Sequence, residues 1–209
     1  MRLSIFNLAL LSLIVLTACS KKEEEPIPEP VIKAEQRTYS ESEQRYMAIG
    51  DSITTLVAEK LKAELMKAIS EGGYENAIQF CNINALPFTA NVVDGTGMTI
   101  KRVSADYRNP QNKPDDLEDG VIFDYTYDVH VGEAPQPMLI KAEGKLHYFK
   151  PIIVQSFCLS CHGTPGEELN ADLYEKIKKL YPDDLATRYK SGHLRGAFHL
   201  VFGDEGKKE

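Results

Sequence analysis

From Ser40 to Ser70, apolar residues fall at Ile49, Ile53, Leu56, Val57, Leu61, Leu65 and Ile69. That spacing predicts an amphipathic helix. Ser40 followed by Glu43 forms a capping-box pattern at its start, and Gly72-Gly73 stops it. A second helix is expected over Tyr74 to Leu86, before Pro87, with Ala77, Ile78 and Cys81 on one face, then a short helical turn through Val93. The pattern then changes. Met98 to Ser104 reads as a β-branched strand, and Tyr107 to Asp116 as a polar loop with two prolines. Leu117 to Tyr127 reads as helical. Met138–Glu143 and Lys145–Val154 form a hairpin about Gly144. A weak helix over Leu169–Tyr181 and a final strand over Leu194–Phe202 complete the chain. Helices first and a small antiparallel sheet afterwards predict an α+β fold.

The first 39 residues do not fit that domain. Arg2 precedes an apolar run, Leu8 to Leu16, too short to span a bilayer comfortably. It ends in Leu16-Thr17-Ala18-Cys19, which resembles the lipobox of bacterial lipoproteins. The resemblance implies a signal peptide over residues 1–18 and acylation at Cys19. Ser20 after the cysteine favours the outer membrane over the inner, with the protein facing the periplasm. Residues 19–39 then read as a charged, Pro-rich tether and residues 40–205 as one domain.

Composition narrows the partners. The 209 residues carry 24 Lys+Arg against 31 Asp+Glu, a net charge of −7. That balance excludes nucleic acid as a main partner, because phosphate binding needs a basic face.

Cys158-Leu159-Ser160-Cys161-His162 is the Cys-x-x-Cys-His pattern of covalent haem attachment. Thiols three positions apart reach the two vinyl groups of one porphyrin, and the next imidazole meets the iron. A redox disulfide competes, but the thioredoxin arrangement needs a strand leading into a helix N-terminus, whereas a loop with Pro165 and Gly166 is expected here. A zinc site competes too, but lacks a second Cys pair. One haem c is the favoured cofactor. Cys81 is left over in an exported chain. It is either a small packing residue or the second axial ligand, and helix position alone leaves both open.

The stretches Ala77-Ile78-Gln79-Phe80-Cys81, Lys101 to Ser104, Arg108 to Pro114, Cys158 to His162 and Gly192 to Ala197 occur in the order of one family. The chain resembles the PAS-like single-haem c-type cytochromes, formerly a domain of unknown function, over roughly Glu41 to Phe202. The resemblance implies a PAS-like antiparallel sheet with N-terminal helices, and His162 and Cys81 as axial iron ligands. Arg102 and Arg108 are candidates for haem propionate or pocket contacts. Asn109 and Asn112 read as loop-forming, and Arg195 as a partner in a structural ion pair. Tyr148, Phe149 and Phe157 are candidate haem-packing residues. His130, His147, His193 and His199 read as surface or strand residues, with His147 and His199 held as reserve ligands.

Two protein ligands leave no open iron position, which favours electron transfer to a redox partner protein over oxygen chemistry. A thiolate ligand favours ferric iron and a low potential. The alternative is a redox or gas sensor acting through a partner, since the chain shows no kinase, cyclase or DNA-binding segment. A peroxidase-like enzyme ranks last, for want of an evident distal histidine. The apolar face of the first helix would allow a homodimer.

Overall fold

The computed structural model describes residues 38–203. The signal peptide, Cys19 and most of the tether lie outside the described residues. Helix α1 spans Glu41–Asn91, β1 Thr99–Val103, α2 Asp116–His130, β2 Met138–Ala142, β3 Lys145–Ile153, α3 Leu159–His162, α4 Ala171–Leu180 and β4 Leu194–Val201. The strands form one antiparallel sheet in the order β1-β4-β3-β2. This is an α+β architecture consistent with the PAS-like fold expected.

The capping box is present: Glu43 N–H donates to the Ser40 hydroxyl, and Ser40 N–H to the Glu43 carboxylate. Gly72 and Gly73 leave helical geometry, Gly73 at φ +70°, so α1 is two arms joined by a break. Asn76 Nδ2 donates back to the Ala68 carbonyl at 2.9 Å and ties the second arm to the first.

Pro87 does not end the second arm, which continues to Asn91. Proline removes one donor, normally aimed at the carbonyl four residues earlier. That residue is Ile83, 68% exposed, so the missing bond falls on the solvent side of the helix. Pro87 is carried at low cost because it sits on the wet side.

The sheet separates two apolar layers. Alternation along the strands sends Ile100, Tyr148, Phe198 and Leu200 towards α1, where they pack with Val57 and Val93. Val103, Phe149, Met138 and Ala197 face α2 and pack with Val121, Ile122 and Tyr125. Close approach of α1 needs Gly50: a Cβ there would lie 2.4 Å from the Tyr148 ring. The hairpin turns through Glu143 and Gly144, both at positive φ, the geometry that matches strand twist. Among the described residues no helix is long and apolar enough to cross a membrane.

Candidate functional site

The chain between β3 and α4 holds the chemistry. β3 ends at Ile153, and a 3-10 turn over Ser156–Cys158 leads into α3. Cys158 caps this short helix, with Cys161 and His162 on it. Residues i, i+3 and i+4 share one helical face, so both thiols and the imidazole point the same way. Pro165 and Gly166 do lie in a loop after the motif, but the expected absence of a strand leading to a helical turn is corrected: β3 and the 3-10 turn lead into α3. Burial pushes the Cys161 thiol up to about 11, away from the reactive thiolate that disulfide exchange uses. Gly163 is required for space: a Cβ would lie 2.7 Å from both Leu159 O and Glu168 Cβ.

A cavity of about 270 Å³ opens beside α3. Leu65 and Ile69 from the first arm of α1 line it, as do Ala77, Ile78 and Cys81 from the second. Ile152 and Ile153 close it from the end of β3, with Phe157 and Tyr74 as exposed lining residues. Tyr74 donates its hydroxyl to Ser160 Oγ at 3.2 Å and links the helical wall to the Cys-x-x-Cys-His turn. Cys81, Arg102, Arg108, Cys158, Cys161 and His162 all line this cavity, drawn from positions 81 apart in sequence.

The orientation of His162 follows from hydrogen bonding. Its Nδ1 lies 2.8 Å from the Ala186 carbonyl oxygen, which can only accept, so Nδ1 carries the hydrogen and Nε2 keeps its lone pair. Burial, followed by repulsion from Arg195 and Arg108, holds the imidazole well below its ordinary value and therefore neutral. Metal ligation needs that form.

Arg108 lines the cavity, but its hydrogen bonds run to the protein. Nε donates to Asp184 Oδ1 at 3.1 Å, and Nη2 to the carbonyls of Cys161 at 2.7 Å and Ala186 at 3.0 Å. Asp184 Oδ1 also accepts from Ala186 N at 2.9 Å. This clamp fixes the carbonyl that orients His162. Neither Asp184 nor Ala186 carried a sequence signal, since no motif marks a backbone acceptor.

Cys81 lies on the far wall. Burial raises its thiol above the ordinary value, and the charges of Arg102 and Arg108 oppose that rise. Arg102 donates weakly to the Ala85 carbonyl at 3.4 Å, and its Nε is buried without a partner. Asn112 Oδ1, which lines the same cavity, is also buried and unpartnered. Asn109 does serve the loop, accepting from Gln111 N at 3.0 Å. Arg195 corrects the expected ion pair: its hydrogen bonds go to Ser104 Oγ at 2.6 Å and Asp106 O at 3.1 Å, both neutral.

Tyr148 and Phe149 are not cavity residues. Strand alternation commits them to the α1 and α2 layers, and only Phe157 of the three aromatic candidates lines the site. The reserve ligands His147 and His199 lie on the α2 side of the sheet, bonded to each other at 2.9 Å. His199 Nδ1 donates to Glu118 Oε1 at 2.5 Å, and Lys101 Nζ reaches the same oxygen at 2.7 Å. His147 Nε2 meets the Ala142 carbonyl at 3.2 Å.

The donor set suits a haem. A neutral imidazole with a free Nε2 and a thiol lie on different walls. Two further thiols sit one helical turn apart, and a buried guanidinium nitrogen awaits an acceptor.

A family model described as Tll0287-like matches residues 32–202. Among solved structures, the crystal structure of the cyanobacterial heme-protein Tll0287 superposes with a TM-score of 0.56 at 23% identity. The match covers 79% of this chain and 98% of that one. At that identity the likeness speaks for the fold. No curated protein matches the chain.

Proposed function

Since this chain belongs to the Tll0287-like family, we propose that it is a monohaem c-type cytochrome that transfers electrons at low potential, and not an enzyme. The observation that carries the reading is the convergence of Cys158, Cys161, His162 and Cys81 on one cavity. Further support comes from the fold relative Tll0287, itself a heme-protein.

Haem supplies a one-electron couple. Everything else is the work of the chain. Cys158 and Cys161, on one helical face, would hold the cofactor by thioethers. His162 would offer its Nε2 to the iron, its ring fixed by the Ala186 carbonyl. Cys81, on the second arm of α1, would supply the other protein donor. As a thiolate it would favour the ferric state and a low potential. Arg102 and Arg108 serve the pocket, Arg108 by holding the backbone behind His162. The apolar helix arms exclude water from the cofactor, which strengthens the charge interactions inside.

Sensing remains a second reading with an observation behind it. Burial favours the neutral Cys81 thiol, and protonation on reduction would release the ligand and open the iron to NO or CO. The signal would then pass to a partner protein. Cys19, lipidated at the end of its tether, would hold the domain at the periplasmic side of the outer membrane.

Mass spectrometry of the protein matured with a cytochrome c assembly system tests covalent attachment. The expected mass is that of the polypeptide plus one haem, lost in the Cys158→Ser, Cys161→Ser double variant. An unmodified polypeptide with both cysteines intact would remove the cytochrome reading.

A further inference from the structure

Three guanidinium groups, Arg102, Arg108 and Arg195, line this one cavity. Only Arg108 is ion-paired, with Asp184, whose side chain is fully buried; the same carboxylate acts on Arg195 from beyond ion-pair distance. Among the described residues neither Arg102 nor Arg195 makes an ion pair with a carboxylate. Arg102 has one long bond to a neutral carbonyl and an enclosed, unpartnered Nε. Arg195 bonds only to neutral oxygens and lies over the Tyr189 ring at 5.4 Å. Burial lowers both groups from their ordinary value; the charge of Arg195 adds to the effect on Arg102, and that of Arg108 to the effect on Arg195. Two half-buried guanidinium groups without an ion pair, one with an enclosed nitrogen, are costly, and a folded protein keeps them where a ligand supplies the opposite charge.

The backbone has been shaped to bring them together. They stand on neighbouring antiparallel strands, Arg102 near the end of β1 and Arg195 near the start of β4. Between them Gly196 sits at φ +152°, where a Cβ would lie 2.1 Å from the Val103 carbonyl oxygen. Only glycine lets β4 pass that close to β1. The β3–β4 register shifts beside it, between Ile152 and Ile153. Ser104, next to β1, accepts from Arg195 and donates to the Arg195 carbonyl at 2.7 Å, which pins the turn.

A haem brings two carboxylates on one edge, and its vinyl groups are what the Cys158–Cys161 turn would hold. We propose that Arg102 and Arg195 receive the two propionate carboxylates of the haem, one guanidinium each, so that the acid edge is paired inside the protein and the two cations help set the potential. This rests on haem occupying the cavity. It assigns to Arg195 a binding role that its sequence context did not suggest. It leaves Arg108 as a positioning residue for His162.

The test uses the matured haem protein and its Arg102→Leu, Arg195→Leu, Arg102→Lys and Arg195→Lys variants, with reduction potentials recorded between pH 5 and 8. Removing a cation near the haem disfavours the added electron, so each leucine variant should show a lower potential. Its freed carboxylate should also titrate within this range and make the potential more pH-dependent. Each lysine variant should recover most of the wild-type value, since it restores charge without the guanidinium shape. Haem attached in all variants with unchanged potentials and pH profiles would overturn the proposal and leave the cytochrome reading standing. Wild-type protein without covalent haem would instead remove the cytochrome reading and this proposal with it. If the leucine variants do not mature, the propionate-bending bands in the resonance Raman spectrum of wild type decide. Bands shifted from those of haem with free acid groups support the pairing, and unshifted bands overturn it.

Discussion

At the residue scale the clamp on His162 is the point where structure adds most to sequence. The Cys-x-x-Cys-His motif names the imidazole but not what turns it, and second partners of this kind fix the tautomer of a metal ligand. Here the partner is the Ala186 carbonyl, held by Arg108 and Asp184. Arg108→Leu leaves the Asp184 carboxylate buried and unpaired, which costs about 3–5 kcal/mol for a broken buried pair. Denaturant unfolding should show a loss of that order. The same variant should carry more high-spin ferric haem than wild type, since the imidazole loses its fixed orientation. An unchanged spin state with lowered stability would separate the packing role of Arg108 from its positioning role.

At the scale of elements, α1 and α2 grip the sheet by different means. On the α1 side the contact is steric. Gly50→Ala drives a methyl into the buried Tyr148 ring, and overpacking of this kind costs about 1–3 kcal/mol. The melting temperature should fall while the haem spectrum stays unchanged, because Gly50 does not line the cavity. On the α2 side the contact is ionic. Burial alone would raise Glu118, but hydrogen bonds from His199, Lys101 and the Asp115 turn bring it to about 2. The Glu118 and Ala142 oxygens only accept here, so His199 Nδ1 and His147 Nε2 both carry hydrogens. The bond between the two rings needs one more, which gives the pair a single positive charge opposite Glu118. His147 is held below its ordinary value by burial and then by His199. Both depressed groups have the same sign of linkage: the unfolded chain binds the proton more readily. The His147 contribution is present above about pH 6.5 and is lost as pH falls below it. The Glu118 contribution is present above about pH 4.3 and is lost as pH falls through about 2. Glu118→Gln should flatten the acid limb of a stability-against-pH curve, and an unaltered limb would refute the assignment.

At the scale of the whole molecule, most of the fold was legible in the sequence. Helical and alternating periods located every strand and the longer helices but not the one-turn α3, and Gly72-Gly73 and Gly144 marked the turns. Pro87 misled because a proline's cost depends on which carbonyl it orphans, and solvent exposure of Ile83 is a tertiary fact. Tyr148 and Phe149 misled for a similar reason: an aromatic on a strand cannot report which layer of the sheet it enters. The six cavity residues named from motifs and resemblance meet in space, yet Asp184 and Ala186 were invisible and Arg195 was assigned to an ion pair it does not make, since a backbone acceptor or an unpaired cation leaves no pattern. The central claim concerns what Cys81 and His162 do once brought to one cavity. The most direct measurement compares EPR and absorption spectra of the matured protein with its Cys81→Ala variant, each oxidised and reduced. The account predicts a low-spin ferric signal of thiolate type in wild type that the variant loses, with haem still attached through Cys158 and Cys161. Identical spectra for the two proteins would contradict it and return Cys81 to the role of a packing residue.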